Sequence, residues 1–307
     1  IDFSNLDMDF LRPFLAGTNS LDSLSLKLNG RLRLLSALDI PSIKGETYIK
    51  DLSFKKTNYG DLNVNFEETL IEKDIGILMN GINGSFKDLH LSGTIDPGKT
   101  KGNMFKLGLT IPKTTPAKVL QPILKGIVTV EEGTLGGWVK LRGNLSEPLI
   151  TGTIDLDSCS FLVDYLKTRY ALSGTFFANK QGLFTKERML ITDEEKNGTA
   201  LAEMALTHSN FKDLYLNLDI SKAQNLKCLN TTEEDNDLFF GTGYANGSCK
   251  IYGPVNAIDM DIRLKTQKGT SVYLPYTETE INKIAGFVKF KEKKGQNALA
   301  KEKSQNA

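Results

Sequence analysis

Residues able to do chemistry are sparse in this chain, and their spacing assembles no reactive constellation. The two histidines, His90 and His208, sit in or beside stretches of alternating polarity. Neither has a cysteine or the other histidine close enough in sequence to suggest a shared metal. Cys159, Cys228 and Cys249 are too few and too irregular for a disulfide framework or a zinc site. Cys228 and Cys249 would pair only if their strands were neighbours, and isolated thiols are the plainer reading. The acidic run Glu233, Glu234, Asp235 and Asp237 lacks the alternating ligands and distant glutamate of a calcium loop, and reads as an acidic turn. Asp193, Glu194 and Glu195 precede Asn197–Gly198, a hairpin signal, and read as a solvated turn. The glycines of 133–143 (GTLGGWVKLRG) are followed by no Lys-Ser/Thr pair and no helix, so they form no phosphate loop. Trp138 reads as a core or groove-edge aromatic, since basic and aromatic residues do not interleave around it. No Gly-x-Ser-x-Gly elbow is present. The expectation is a non-enzyme with no catalytic residue, no metal and no cofactor.

Composition narrows the class further. The chain has 307 residues, and its 38 basic and 37 acidic side chains nearly cancel to a net charge of +1. No global field argues for nucleic acid as a partner. No apolar run approaches the roughly 18–20 residues that span a bilayer. The chain opens at Ile1 with no basic, apolar leader, which suggests a fragment whose export signal lies upstream. The stretch 289–307 is rich in Lys, Glu, Gln and Asn, and a disordered end is expected there.

The elements that would position any site are strands. Period-two alternation recurs at 24–30 (LSLKLNG), 89–95, 105–111, 138–143, 150–156, 214–220 (LYLNLDI) and 258–264 (IDMDIRL). Gly and Asn close most of these runs, as hairpin turns require. This predicts roughly 18–20 antiparallel strands of the usual 5–6 residues. Two short helices are expected, at 7–16 and 115–125.

A long internal echo runs through the pattern. Pro41, Gly45 and Phe54 recur as Pro148, Gly152 and Phe161, 107 residues on. Leu11, Pro13, Leu15 and Gly17 recur as Leu120, Pro122, Leu124 and Gly126 at an offset of 109. FKDLHL (86–91) recurs as FKDLYL (211–216) at an offset of 125. A tandem duplication with insertions accounts for all three. The division expected is a first β module at 1–112, a second at 113–290 and a charged tail at 291–307.

Alternation leaves each strand one apolar face. Leu107, Leu109, Ile111, Ile154, Leu156, Leu214, Leu216, Leu218, Ile220, Met260, Ile262 and Leu264 are the clearest members. A dozen such side chains left in water forfeit about 1.5–3 kcal/mol each, roughly 20–35 kcal/mol together. A whole domain is stable by only about 5–15 kcal/mol, so the face must be covered. A second sheet, a closed barrel or a long sheet curled into an apolar trough would each cover it. Repetition favours the trough, because modules joined edge to edge extend one sheet. The fold expected is therefore all-β: a long, curled antiparallel sheet with one or two short helices.

The most distinctive words of the sequence are FLVDYLKTRY (161–170), LKCLNTTEEDNDLFFGTGYANG (226–247) and SCKIYGPVNAIDMDIRLKTQKGTSVYLP (248–275). They resemble the C-terminal region of TamB-family proteins, in the form found in Bacteroidetes. Leu229, Asn230 and Thr231, then Asp235 and Asn236, then Phe239, Phe240, Gly241 and Thr242 carry the resemblance. The resemblance implies a periplasmic scaffold akin to AsmA-like bridge proteins, with an apolar trough. It implies as partners phospholipid acyl chains and an outer-membrane barrel of the TamA or BamA type. It also implies attachment to the inner membrane through an anchor outside this chain. The twelve lining residues come from alternation, not from the family. The alternative is a β-repeat interaction module, adhesin-like, with its apolar face sealed by a second sheet.

Overall fold

The computed structural model describes residues 1–7, 24–34, 43–68, 74–96, 102–144, 147–209 and 212–275. Of the helix expected at 7–16, Asp7 ends a strand and residues 8–16 lie outside them, as do the tail at 291–307, Pro41 and Phe211.

Among the described residues seventeen strands follow one another: β1 (Asp2–Asp7), β2 (Leu24–Leu34), β3 (Ile43–Phe54), β4 (Thr57–Glu68), β5 (Ile75–Gly81), β6 (His90–Ile95), β7 (Phe105–Pro116), β8 (Val128–Gly143) and β9 (Pro148–Val163). The second half adds β10 (Thr168–Asn179), β11 (Gly182–Thr185), β12 (Met189–Asp193), β13 (Thr199–Ser209), β14 (Lys212–Thr231), β15 (Phe240–Pro254), β16 (Asp259–Thr266) and β17 (Ser271–Tyr273). All belong to one antiparallel sheet that pairs in chain order from β1 to β10. There β11 and β12 share the space between β10 and β13, and β14, β15 and β16 follow. β17 pairs with the far end of β15. The sheet is all-β and trough-like, as its alternation predicts. It continues through position 112, which lies inside β7.

The strands are longer than expected, reaching 16 residues in β8 and 20 in β14. Bulges make this possible, because an extra residue bends a strand without ending its ladder. Several share one construction: a non-glycine residue takes a left-handed backbone, and a side-chain oxygen on the next strand accepts its amide. Asn5 donates to Asn29 Oδ1 at 2.8 Å, Asp51 to Asp61 Oδ1 at 2.9 Å, Ser158 to Ser173 Oγ at 2.9 Å and Asn225 to Asn246 Oδ1 at 2.6 Å. Asp51 and Ser158 lie 107 residues apart, the same separation as the Pro–Gly–Phe echo. The aspartates of the two FKDL words, Asp88 and Asp213, are likewise both left-handed.

One sheet face carries the apolar clusters. Ala117, Val130, Leu135, Leu156 and Cys159 form one, with Ile111, Ile154, Leu172 and Phe176 against it. Ile191, Ala200, Ala202, Ala223 and Leu226 form the other, with Tyr170, Leu172 and Ile220 against it. The second expected helix is present as a short turn, Ala117–Leu120, continuing into α1 (Gln121–Leu124). Gln121 holds it to β8 by accepting the Val130 amide at 2.6 Å and donating to the Val128 carbonyl at 3.2 Å.

Candidate functional site

Alternation alone leaves open whether apolar side chains of separate strands meet. Register decides it. Directly paired residues of antiparallel strands project from the same face. One unbroken row crosses fourteen strands: Phe3, Gly30, Thr47, Val64, Met79, Leu91, Leu109, Val139, Gly152, Ala178, Leu183, Leu206, Leu216 and Gly253. The row one residue away, on the opposite face, runs from Asn29 through Tyr48, Asn63, Asn80, His90, Thr110 and Trp138 to Thr153. The first row is apolar apart from Thr47 and its glycines. The second is mostly amide, hydroxyl and aromatic. This is the two-faced sheet that period-two patterning specifies.

The twelve residues singled out by alternation all fall on the apolar face. Leu107 is opposite Leu141 and Leu109 opposite Val139, while Ile111, Gly137 and Ile154 stand in line. Leu156 is opposite Leu135 and buried. Leu216 belongs to the long row, with Leu214 on the same strand face. Leu218 and Ile220 extend it through Ile251 and Cys249 to Met260 and Ile262 on β16. Leu264 is opposite Gly247. Most are half-buried, but on β16 Met260 is 61% exposed and Ile262 55%. The apolar face is thus continuous, and among the described residues its members on β16 are the most exposed. Val64, Met79, Leu91, Val139, Leu183 and Leu206 project from the same face and were not marked by sequence. Only the register between strands reveals them.

Glycines shape this surface. Gly137 has φ +144°, and a Cβ there would run into the carbonyl of Thr153 on the next strand. A close, sharply curved approach of two strands accounts for glycine at this position.

At one end of the strands the second half is tied across its width. Tyr170, on β10, donates to the carbonyl of Lys227, on β14, at 2.8 Å. Burial pushes the Tyr170 phenol up to about 12. Beyond it, Asn230 donates to the Leu166 carbonyl at 2.9 Å, and Lys167 pairs with Asp235 at 3.4 Å. On the opposite face Lys227 Nζ reaches Glu194 at 2.9 Å and Glu195 at 3.0 Å, and Arg169 bridges Glu131 and Glu194. Burial works against the Lys227 charge, yet its bonds to Glu194 and Glu195 hold its pKa above the usual lysine range.

Two expectations are corrected. Asp193 does not sit in a solvated turn: it is 1% exposed and accepts backbone N–H groups. Trp138 is neither core nor groove edge but stands 42% exposed on the polar face, with Lys140 Nζ 5.1 Å from its ring centre. Glu233, Glu234, Asp235 and Asp237 are exposed in a turn, where Asp235 accepts the Thr232 amide and hydroxyl. The three thiols are free, and burial pushes each of them up. His90 pairs with Asn80 Oδ1 at 2.8 Å. No cluster of metal-ligating side chains occurs among the described residues. No helix among them is long and apolar enough to cross a membrane. An open cleft of about 630 Å³ lies over β1–β4, but three cations and three carboxylates line it, among them Arg31, Arg33, Lys44 and Glu46. It is separate from the apolar row's chemistry.

Compared with known families, residues 186–307 match the model of the TamB C-terminal domain. No curated protein and no solved structure matches the chain.

Proposed function

We propose, from the premise that residues 186–307 belong to the TamB family as its C-terminal domain, that this chain is a non-enzymatic periplasmic conduit whose apolar face carries phospholipid acyl chains. TamB-family membership supports a role in lipid transport or outer-membrane protein assembly. The observation that supports the lipid reading is the row of apolar side chains across fourteen strands, with Met260 and Ile262 exposed on β16 among the described residues.

The physics is simple. Each methylene moved from water onto the face gains about 0.8 kcal/mol. Neighbouring positions along the row are chemically alike, so a chain shifted by one strand exchanges one set of contacts for a similar one. Head groups stay in water at the open side. Such a track needs no covalent step and no bound cofactor. In this reading Leu107, Leu109, Ile111, Ile154, Leu214, Leu216, Leu218, Ile220, Met260, Ile262 and Leu264 touch the acyl chains, while Leu156, buried with Ala117 and Leu135, supports the floor beneath them. An outer-membrane barrel of the TamA or BamA type would receive the cargo, and the inner membrane would supply it.

The sealed interaction module finds less support, because the described strands form one sheet. Mass spectrometry of lipid extracted from the purified chain separates the two readings. Phospholipid recovered in stoichiometric amount supports the conduit. A lipid-free protein that binds no apolar dye refutes it.

A further inference from the structure

The chain as a whole is almost neutral, yet one tip of the trough is not. Three connections converge there. Tyr59, near the start of β4, stacks on Phe86 with ring centres 4.5 Å apart, and its hydroxyl donates to the Val119 carbonyl at 3.1 Å. Lys55 Nζ donates to the Pro122 carbonyl at 3.1 Å, and Ser85 Oγ to the Asn58 carbonyl at 3.4 Å. The hairpin tip at 53–60, the connection at 82–87 and the stretch 112–128, from the end of β7 through α1 to the first residue of β8, are therefore one surface. Together these stretches hold six lysines, Lys55, Lys56, Lys87, Lys113, Lys118 and Lys125, and no Asp or Glu. All six are exposed. The first acids beyond them along the chain are Asp51, Asp61, Asp88 and Glu131.

The same tip breaks the rule that a surface helix turns its polar side outward. α1 and the turn before it bury Ala117 and Pro122 and place Leu120 and Leu124 against the core, yet Ile123 is 74% exposed. Ile127 is 67% exposed just beyond it, and Ile82 47% exposed on the neighbouring connection. Large apolar side chains among six lysines, with only Asp61, which accepts the Asn83 side-chain amide at 2.7 Å, and Asp88 at the margin, fit a bilayer surface: the isoleucines enter the acyl boundary while the lysines meet phosphates. Nucleic acid would use the lysines but give no reason for three bare isoleucines.

We propose that this tip is a docking surface for an anionic phospholipid bilayer. The proposal stands apart from the acyl-carrying face and survives its failure. The test is co-sedimentation of the purified full chain with vesicles of phosphatidylglycerol and phosphatidylethanolamine, against vesicles of phosphatidylcholine alone. The chain binds the anionic vesicles, and binding weakens with salt. Replacing Lys56→Gln, Lys118→Gln and Lys125→Gln together weakens it roughly a hundredfold, at the usual worth of a lysine near an anionic surface. Ile123→Ser with Ile127→Ser, both exposed and so harmless to folding, weakens it too. Neutralising Lys222, Lys265 and Lys268, elsewhere on the chain, leaves it unchanged. Equal binding to phosphatidylcholine overturns the proposal. So does a lysine variant that binds like the parent, or an isoleucine variant that does, since the latter marks a generic polyanion site.

Discussion

The Asp193 carboxylate, at the end of β12, accepts the backbone amide of Lys227, on β14, at 3.1 Å. The pairing occurs where β13 has not yet begun, so β12 and β14 have no strand between them to satisfy their edges. Asp193 substitutes for it. Its other oxygen accepts the amides of Asn197 and Gly198, both at 3.2 Å, which fixes the hairpin that starts β13. A buried carboxylate taking three backbone N–H groups is a strong arrangement, because each orphaned donor would cost as much as a lost hydrogen bond.

Asp193→Asn keeps the shape but turns an acceptor into an amide that faces a backbone N–H. The expected loss is about 3 kcal/mol, from one unsatisfied buried donor and the lost charge. Chemical denaturation reads it directly. A midpoint within error of the parent would show that Asp193 is not what joins β12 to β14.

The clamp around Lys227 gives stability a defined pH dependence. Hydrogen bonds to Lys227 hold Glu194 and Glu195 below the usual glutamate value of 4.5. Carboxylates held low contribute stability above about pH 4.5 and lose it as pH falls through their folded values. Lys227, held above its ordinary value of 10.5, contributes below that pH and loses it only in strong alkali. The melting temperature of the parent should fall as pH drops from 5 to 3, and Lys227→Met should flatten that fall. Parallel curves would contradict the clamp.

Gly137→Ala should destabilise by about 2 kcal/mol, from a strained backbone and the collision with Thr153. Gly108→Ala is the control, since the nearest atom a Cβ would meet there is Ser92 O at 3.8 Å. Thermal unfolding should separate the two variants clearly. Equal melting temperatures would mean the strands do not approach as closely as the structure has them.

Much of this architecture was legible in the residues. LYLNLDI declares a half-buried strand, and TPAKVLQPILK was readable as a short helix from its apolar spacing. The FKDL words even marked a left-handed aspartate, although only the words and not the conformation could be seen. Strand length was not legible, because a bulge such as that at Asn225 depends on Asn246, 21 residues away. Asp193 was misread for a similar reason. Its local neighbours, Glu194, Glu195 and Asn197–Gly198, belong to an exposed turn, and the amide that buries it comes from another strand. The continuous apolar row is likewise a property of register: Val64, Met79 and Leu91 lie in one line only once their strands are paired.

The proposed conduit is tested most directly on one strand, where neighbouring residues face opposite ways. Leu216 lies in the apolar row, and Asn217 projects from the polar face. A photo-reactive side chain placed at 216 should crosslink phospholipid in cells, and the same group at 217 should not. Leu216→Asp, in a chain probed at 206 on the paired strand, should abolish the crosslink while the chain still folds. Equal lipid labelling at 216 and 217, or lipid undiminished by Leu216→Asp, would contradict the account.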